Sequence, residues 1–168
     1  IWAGHAMAHV FQMDSRWLDG LNWMDTMLPL WADANNFLRH LYWHKALYYL
    51  GRKELDAALA IYDDTLEPGL DDDFYLDTCN AASLLWRLNM HGVQTPDRWE
   101  KLHELSVHRV ADDELVFCSL HYLMAPAVVN DQEAIKQSLA TFDSWRQQST
   151  HQGQVAHEVG ATLAKAIV

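Results

Sequence analysis

Apolar side chains recur along the whole chain at intervals of three and four residues, which is the spacing of one buried helix face. Turn residues interrupt this pattern, and alternation typical of a half-buried strand does not occur. The pattern therefore predicts an all-α fold. The nine predicted helices cover residues 1–13, 16–31, 35–50, 54–66, 71–90, 97–110, 112–129, 131–148 and 152–168.

Several helix ends carry their own signals. Pro29 is expected to end or bend the second helix, and Asn35 and Asn36 are expected to cap the third. The segment Glu67-Pro68-Gly69 is expected to stop the fourth helix. The acidic run Asp71–Asp73 is expected to lie at the N-terminus of the fifth, where negative charge is favourable.

The helices are predicted to form hairpins, because a pattern of small and large residues repeats. The first copy is Ala8, Phe11, Trp17, Gly20, Met24 and Met27, and the second is Ala46, Tyr49, Leu55, Ala58, Tyr62 and Thr65. Ala46 follows Ala8 by 38 residues, and two weaker copies pass through Trp99 and Tyr122. Small residues allow two helices to approach closely, and each hairpin then leaves an apolar face for the next. This pattern resembles a tetratricopeptide repeat with a longer period than usual. We expect an α-α superhelix of about four hairpins plus a ninth helix.

Three blocks resemble one particular group, the tetratricopeptide-repeat protein 38 family. They are HAMAHVFQMDSRWLDGLNWM, LYWHKALYYLGRKELDAALAIYDD and DTCNAASLLWRLNMHGVQTPDRW. The resemblance implies a helical-repeat fold more than a function, and it implies that residues 1–168 are one segment of a longer protein. Two positions depart from the family pattern: Lys53 stands where glycine is usual, and no acidic residue directly precedes His121.

Composition limits the partners. The formal net charge of −11 makes nucleic acid poor as a partner, because phosphate binding requires clustered lysine and arginine. No apolar run reaches the length of a membrane helix, so we expect no membrane insertion and a cytoplasmic protein. Cys79 and Cys118 are expected to be small core residues. Protein, peptide or small-ligand partners remain, and the sequence leaves the oligomeric state open.

Histidine spacing is the most informative polar pattern. His5 and His9 are four residues apart, as are His40 and His44, and residues four apart share a helix face. Both pairs lie on first helices of hairpins, which line the concave groove in tetratricopeptide superhelices. Such pairs could hold a divalent zinc, iron or manganese ion. They could also hydrogen-bond across hairpins, or bind a ligand without a metal, and the sequence leaves these three alternatives open.

Four other residues are candidates for lining the same groove: Asp77, Asn80, Arg87 and His121. For Arg87 the alternatives are a buried ion pair with Asp77 or Asp97 and an anion clamp. From these residues we expect a scaffold that binds a protein, peptide or small ligand, without a cofactor and without a catalytic role. A metal-dependent enzyme with a histidine-rich groove and a structural segment of a larger assembly are the alternatives.

Overall fold

The structure is a computed structural model that describes residues 1–33, 35 and 37–168. Those residues contain nine helices and no strand, so the predicted all-α fold of helical hairpins is confirmed. The helices are α1 (Trp2–Met13), α2 (Trp17–Met27), α3 (Phe37–Gly51), α4 (Leu55–Ile61, a π-helical turn Tyr62–Leu66, then Glu67–Gly69), α5 (Tyr75–Met90), α6 (Pro96–Ser106), α7 (Val116–Val129), α8 (Gln132–Trp145) and α9 (His151–Val155, a π-helical turn Ala156–Gly160, then Ala161–Ile167).

The chain divides into two compact units, residues 1–93 and 94–168. The first unit holds the hairpins α1–α2 and α3–α4, with α5 packed against α3. The second holds α6 to α9, in which α7 packs against α6, α8 and α9. The two helices of the predicted third hairpin, α5 and α6, fall in different units. The single segment 1–168 stays a prediction.

Small residues set the close approach of helices in the first unit, as the repeat predicts. Ala8, Ala46 and Ala58 are fully buried. Gly20 lies against Tyr48, so that a Cβ atom at Gly20 would come within 2.7 Å of the tyrosine ring. The hydroxyl of Tyr48 in turn donates a 2.8 Å hydrogen bond to the carbonyl oxygen of Ala8. Together these contacts hold α1 and α2 against α3.

Each unit has its own apolar core. In the first unit the cluster of buried side chains comprises Ala8, Phe11, Leu21, Met24, Leu28, Leu41 and Tyr48. In the second it comprises Val116, Leu123, Ile135, Phe142, Trp145, Ala156, Ala161 and Ala164. Cys79 and Cys118 are buried, as the sequence predicts.

The predicted end of the fourth helix is wrong. The fourth helix does not stop at Leu66 but continues through Pro68 to Gly69. The π-helical turn Tyr62–Leu66 lies directly before this segment. In such a turn the hydrogen bonds span five residues, which widens the helix ahead of the proline ring and relieves its clash with the preceding turn.

Three other helix-end signals were predicted, at Pro29, at Asn35 and Asn36, and at the acidic run Asp71–Asp73. A 3₁₀ turn replaces α-helix at Leu28–Trp31, which agrees with the bend expected at Pro29. The side chain of Asn35 accepts a 3.1 Å hydrogen bond from the Phe37 N–H, while Asn36 lies outside the described residues. Asp71 and Asp72 form a 3₁₀ turn and Asp73 is left-handed, so the acidic run precedes α5 instead of forming its first turn.

None of the described helices is both long and apolar enough to cross a membrane.

Candidate metal centre

Four histidine side chains from α1 and α3 meet in the first unit. His5 and His9 lie on α1, and His40 and His44 lie on α3. His5 Nε2 is 2.9 Å from His9 Nε2, 3.1 Å from His40 Nε2 and 3.1 Å from His44 Nε2. One ring nitrogen from each histidine lies within 4.8 Å of those of the other three. We call these four residues the histidine cluster.

Helix geometry and the packing of α1 on α3 create the cluster. The spacing of four residues puts each pair on one face of its helix. The Tyr48–Ala8 hydrogen bond and the buried side chain of Leu41 hold these two faces together. His44 is fully buried, whereas His9 is exposed, so the cluster extends from the core to the surface.

Side-chain amides hold two of the imidazoles by their Nδ1 atoms. His40 Nδ1 is 3.0 Å from Asn80 Oδ1, and His44 Nδ1 is 3.1 Å from Gln12 Oε1. An amide oxygen can only accept a hydrogen bond, so both Nδ1 atoms carry a hydrogen. The Nε2 atoms of His40 and His44 are therefore left with lone pairs that point into the cluster.

Burial keeps these imidazoles uncharged. It lowers the pKa of His44 to about 2, with neighbouring His40, His9 and His5 adding to the effect. It lowers the pKa of His5 to about 4, again with contributions from His40 and His9, and it lowers the pKa of His40 as well. At neutral pH these three histidines therefore present neutral donor atoms, the form that binds metal ions.

Hydrogen atoms alone cannot satisfy this arrangement. The Nε2 atom of a neutral imidazole carries either one hydrogen or one lone pair. If His5 Nε2 carries the hydrogen, it can serve only one of its three close contacts. If it carries a lone pair, only His9 can donate to it, and the contacts to His40 and His44 bring lone pairs together. A cation at the centre would accept a lone pair from every imidazole at once.

The four ligand nitrogens lie close enough together to be drawn around one ion. Tetrahedral zinc has Zn–N bonds of about 2.0–2.1 Å, which corresponds to about 3.3 Å between ligand nitrogens. The three distances from His5 Nε2 are 2.9–3.1 Å, and the four ligand nitrogens all lie within 4.8 Å of one another. Side-chain shifts on the order of 1 Å would therefore place the four nitrogens around one ion. Imidazole ligands suit zinc, copper, iron and nickel, whereas magnesium and calcium prefer oxygen ligands.

Aromatic rings surround the cluster on the α3 side. Trp43 stacks on His40 with a centroid distance of 5.3 Å and an interplanar angle of 13°. Phe37 contacts His5 edge-on at 4.9 Å. Such packing fixes the orientation of the imidazoles, and fixed ligands bind metal more tightly than mobile ones because less conformational entropy is lost.

The other predicted site residues are placed differently. Asn80 contacts the cluster through His40. Asp77 is buried and faces Arg39, whose Nη1 lies 2.8 Å from Asp77 Oδ2 and 2.7 Å from Asp72 Oδ2. Burial raises the pKa of Asp77, and the Arg39 charge opposes that change. Asp77 is thus the partner of Arg39, and it is not among the residues grouped at the centre.

Arg87 and His121 lie outside the histidine cluster. Arg87 donates hydrogen bonds to the carbonyl and hydroxyl oxygens of Ser83 one turn earlier on α5, and its guanidinium lies 5.8 Å from the centroid of Trp43. The ion pair of Arg87 with Asp77 is therefore wrong. His121 belongs to the second unit, where its Nδ1 lies 2.7 Å from the Phe117 carbonyl oxygen.

Sequence reasoning missed Gln12, Phe37 and Trp43 as parts of the site. A signal for Gln12 was available, because it follows His9 by three residues and so shares the α1 face of the histidines. Phe37 and Trp43 read as ordinary core aromatics by their spacing, and no local signal separates the two roles.

Comparison of the chain with protein-family models and with solved structures gave no match.

Proposed function

We propose that this protein binds a divalent transition-metal ion through His5, His9, His40 and His44, as a metal-binding protein of helical-hairpin architecture. The observation that carries the proposal is the convergence of four imidazole nitrogens that hydrogen atoms alone cannot pair. The sequence favoured a scaffold without a cofactor, and the geometry of the cluster now favours the metal-binding alternative.

The donor set favours a binding or structural role over hydrolysis. Four imidazoles fill the coordination sphere of tetrahedral zinc, whereas catalytic zinc sites keep one position for water. An ion that prefers six ligands, such as iron or nickel, would retain two free positions, and the exposure of His9 would bring water to them. Identification of the ion therefore decides between a closed centre and a reactive one.

Metal analysis of the purified protein tests the proposal. We expect about one equivalent of zinc, nickel, copper or iron per chain after dialysis, or one equivalent of cobalt after reconstitution with a visible spectrum of nitrogen ligation. His5→Ala and His44→Ala should each lose the ion or weaken its binding by tenfold or more, since each removes a ligand. Because His44 is buried, circular dichroism should verify that its variant is folded.

A matched control is His157→Ala, which removes an exposed histidine of α9 in the second unit. It should retain the ion at wild-type stoichiometry. The proposal fails if the wild-type protein retains no transition metal after reconstitution, or if His157→Ala loses as much metal as His5→Ala.

We also propose membership of the tetratricopeptide-repeat protein 38 family. The support is the three sequence blocks and the observed helical hairpins, with the buried small residues Ala8, Gly20, Ala46 and Ala58 at the repeat positions. If related chains share this ancestry, an alignment built from the three blocks should extend through the second unit. Alignments that end at residue 93 would contradict it.

A further inference from the structure

A second candidate site lies in the first unit, in a cleft of about 370 Å³ at the surface. This volume is within the range of sites that hold small organic molecules. The cleft is bounded by the C-terminal ends of α1, α3 and α5 and by the start of α2. Its principal walls are Gln12, Trp17, Leu50, Lys53, Arg87 and Met90.

The charges that line this cleft are all positive. Lys53 and Arg87 are its charged side chains, and no carboxylate is among the described residues that line it. This is unusual in a chain with a formal net charge of −11. A local excess of positive charge in an acidic protein attracts an anion by direct electrostatic complementarity.

Arg87 differs from most other arginines of the described chain. Five of them bind a carboxylate: Arg16, Arg39, Arg52, Arg109 and Arg146. In the same described residues Arg87 has no ion pair, and Ser83, one turn earlier on α5, accepts hydrogen bonds from its Nη1 atom only. The remaining guanidinium N–H groups are available to a ligand, and a guanidinium matches a carboxylate in a two-point contact.

Positive charge at helix C-termini also offsets the helix dipole, which places about half a negative charge at the C-terminus and about half a positive charge at the N-terminus. Three C-termini, those of α1, α3 and α5, and one N-terminus, that of α2, border the cleft, so together they offset about one of the two positive charges. About one positive charge remains for a ligand. The dipole alone therefore does not account for both Lys53 and Arg87 in one cleft.

Apolar side chains also line the cleft. Trp17, Leu50 and Met90 contribute hydrocarbon and aromatic surface, and Met90 is 76% exposed. Gln12 adds a polar group: because its Oε1 accepts from His44, its NH₂ group is the part left to serve a ligand. An apolar wall beside cationic donors is complementary to a molecule with a hydrocarbon body and one acidic end.

We propose that this cleft binds a small organic monocarboxylate, with the carboxylate at Arg87 and Lys53 and the hydrocarbon body against Trp17, Leu50 and Met90. This site lies beside the metal centre, with which it shares Gln12, and it does not depend on an ion there. It would make the protein a binder of a small acidic molecule in addition to a metal.

Calorimetric titration of the folded protein with hexanoate tests the site, with acetate and 1-hexanol as comparison probes. We expect saturable hexanoate binding, and binding at least tenfold weaker for acetate, which lacks the hydrocarbon body, and for hexanol, which lacks the charge. Arg87→Gln and Lys53→Asn should each weaken hexanoate binding by about tenfold or more, because each removes a charged donor. Asparagine suits the left-handed backbone at residue 53 (φ 62°).

Arg52→Gln is the matched control, because it removes the same charge next to Lys53 from a side chain that does not line the cleft. It should bind hexanoate as the wild type does. The proposal is overturned by no saturable hexanoate binding up to about 10 mM, by equal binding of hexanol, or by equal losses in Arg52→Gln and Lys53→Asn. If Arg87→Gln does not fold, the Lys53→Asn and Arg52→Gln pair decides the question.

Discussion

At the scale of single residues, the histidines of the cluster have lowered pKa values. His44 is fully buried and His5 is partly buried, and burial lowers the pKa of each below the ordinary value of 6.5. In the unfolded chain the same imidazoles would titrate near that ordinary value. Folding therefore depends on pH through these side chains, because the two states bind different numbers of protons.

We predict that the metal-free protein loses stability as the pH falls from 7.5 to 5. Above the unfolded pKa of about 6.5 neither state is protonated. Below it the unfolded chain takes up protons that the folded cluster resists, since the folded pKa is about 4 for His5 and about 2 for His44. The free energy of unfolding should therefore fall on acidification. Urea titrations at pH 7.5 and 5 measure this change.

The double variant His5→Gln/His44→Gln isolates the contribution of the two histidines to the pH dependence of stability, because it removes them and keeps every carboxylate of the wild type. Its stability should change less over the same pH range. Equal changes in the two proteins, or a wild-type protein that gains stability on acidification, would contradict the assignment of the effect to the cluster.

At the scale of secondary-structure elements, the turn between α3 and α4 carries a local conflict. Lys53 adopts φ 62°, in the left-handed region where a side chain is unfavourable. Its N–H still closes the turn, with a 2.9 Å hydrogen bond to the Leu50 carbonyl oxygen. The resemblance to the tetratricopeptide-repeat protein 38 family implied glycine at this position. The positive φ explains that expectation, because glycine adopts such angles without steric cost.

We predict that Lys53→Gly raises the free energy of unfolding by about 1 kcal/mol, because glycine adopts left-handed angles without steric cost. Arg52→Gly, at the neighbouring residue where φ is not positive, should instead lower the free energy of unfolding. Denaturant titration of both variants gives the two signs. A loss of stability in Lys53→Gly would show that contacts of the lysine side chain outweigh the backbone strain.

Elements also show which parts of the structure the sequence could predict. The helices and the pairing of His5 with His9 and of His40 with His44 follow from periodicity within a helix. The π-helical turn Tyr62–Leu66 has no signal in the hydrophobic periodicity. Through this turn α4 continues beyond Pro68, which was expected to end the helix.

At the scale of the whole molecule, the decisive contact joins residues that are 35 and 39 positions apart. The repeat period is 38, so His40 lies three residues earlier in its repeat than His5 does, a stagger close to one helical turn. The two histidine pairs come side by side only at one axial position of α1 relative to α3. Close packing at Ala8, Gly20 and Tyr48 fixes this axial position. The position arises only when the hairpins pack together, so no single segment of the sequence predicts it.

The proposed ion would join α1 to α3, and α1 itself contributes few buried side chains. Of the twelve residues of α1, the buried ones are Gly4, Ala8 and Phe11. A ligand that binds only the folded state adds stability, by about 2.7 kcal/mol at a free concentration one hundred times its dissociation constant. That added stability should be concentrated where the ligands lie, on α1 and α3.

We therefore predict that metal binding slows amide hydrogen exchange in α1 and α3 far more than in α8 of the second unit, which carries none of the ligands. Exchange measured by mass spectrometry, with and without one equivalent of zinc, resolves peptides from each helix. His44→Ala should abolish the zinc-dependent protection of α1, because the ion would lose its most buried ligand, while His157→Ala should preserve it. Protection that rises equally in α1 and α8, or that persists in His44→Ala, would place the ion elsewhere. Protection confined to α1 and α3 would instead establish that the first two hairpins are joined through the histidine cluster.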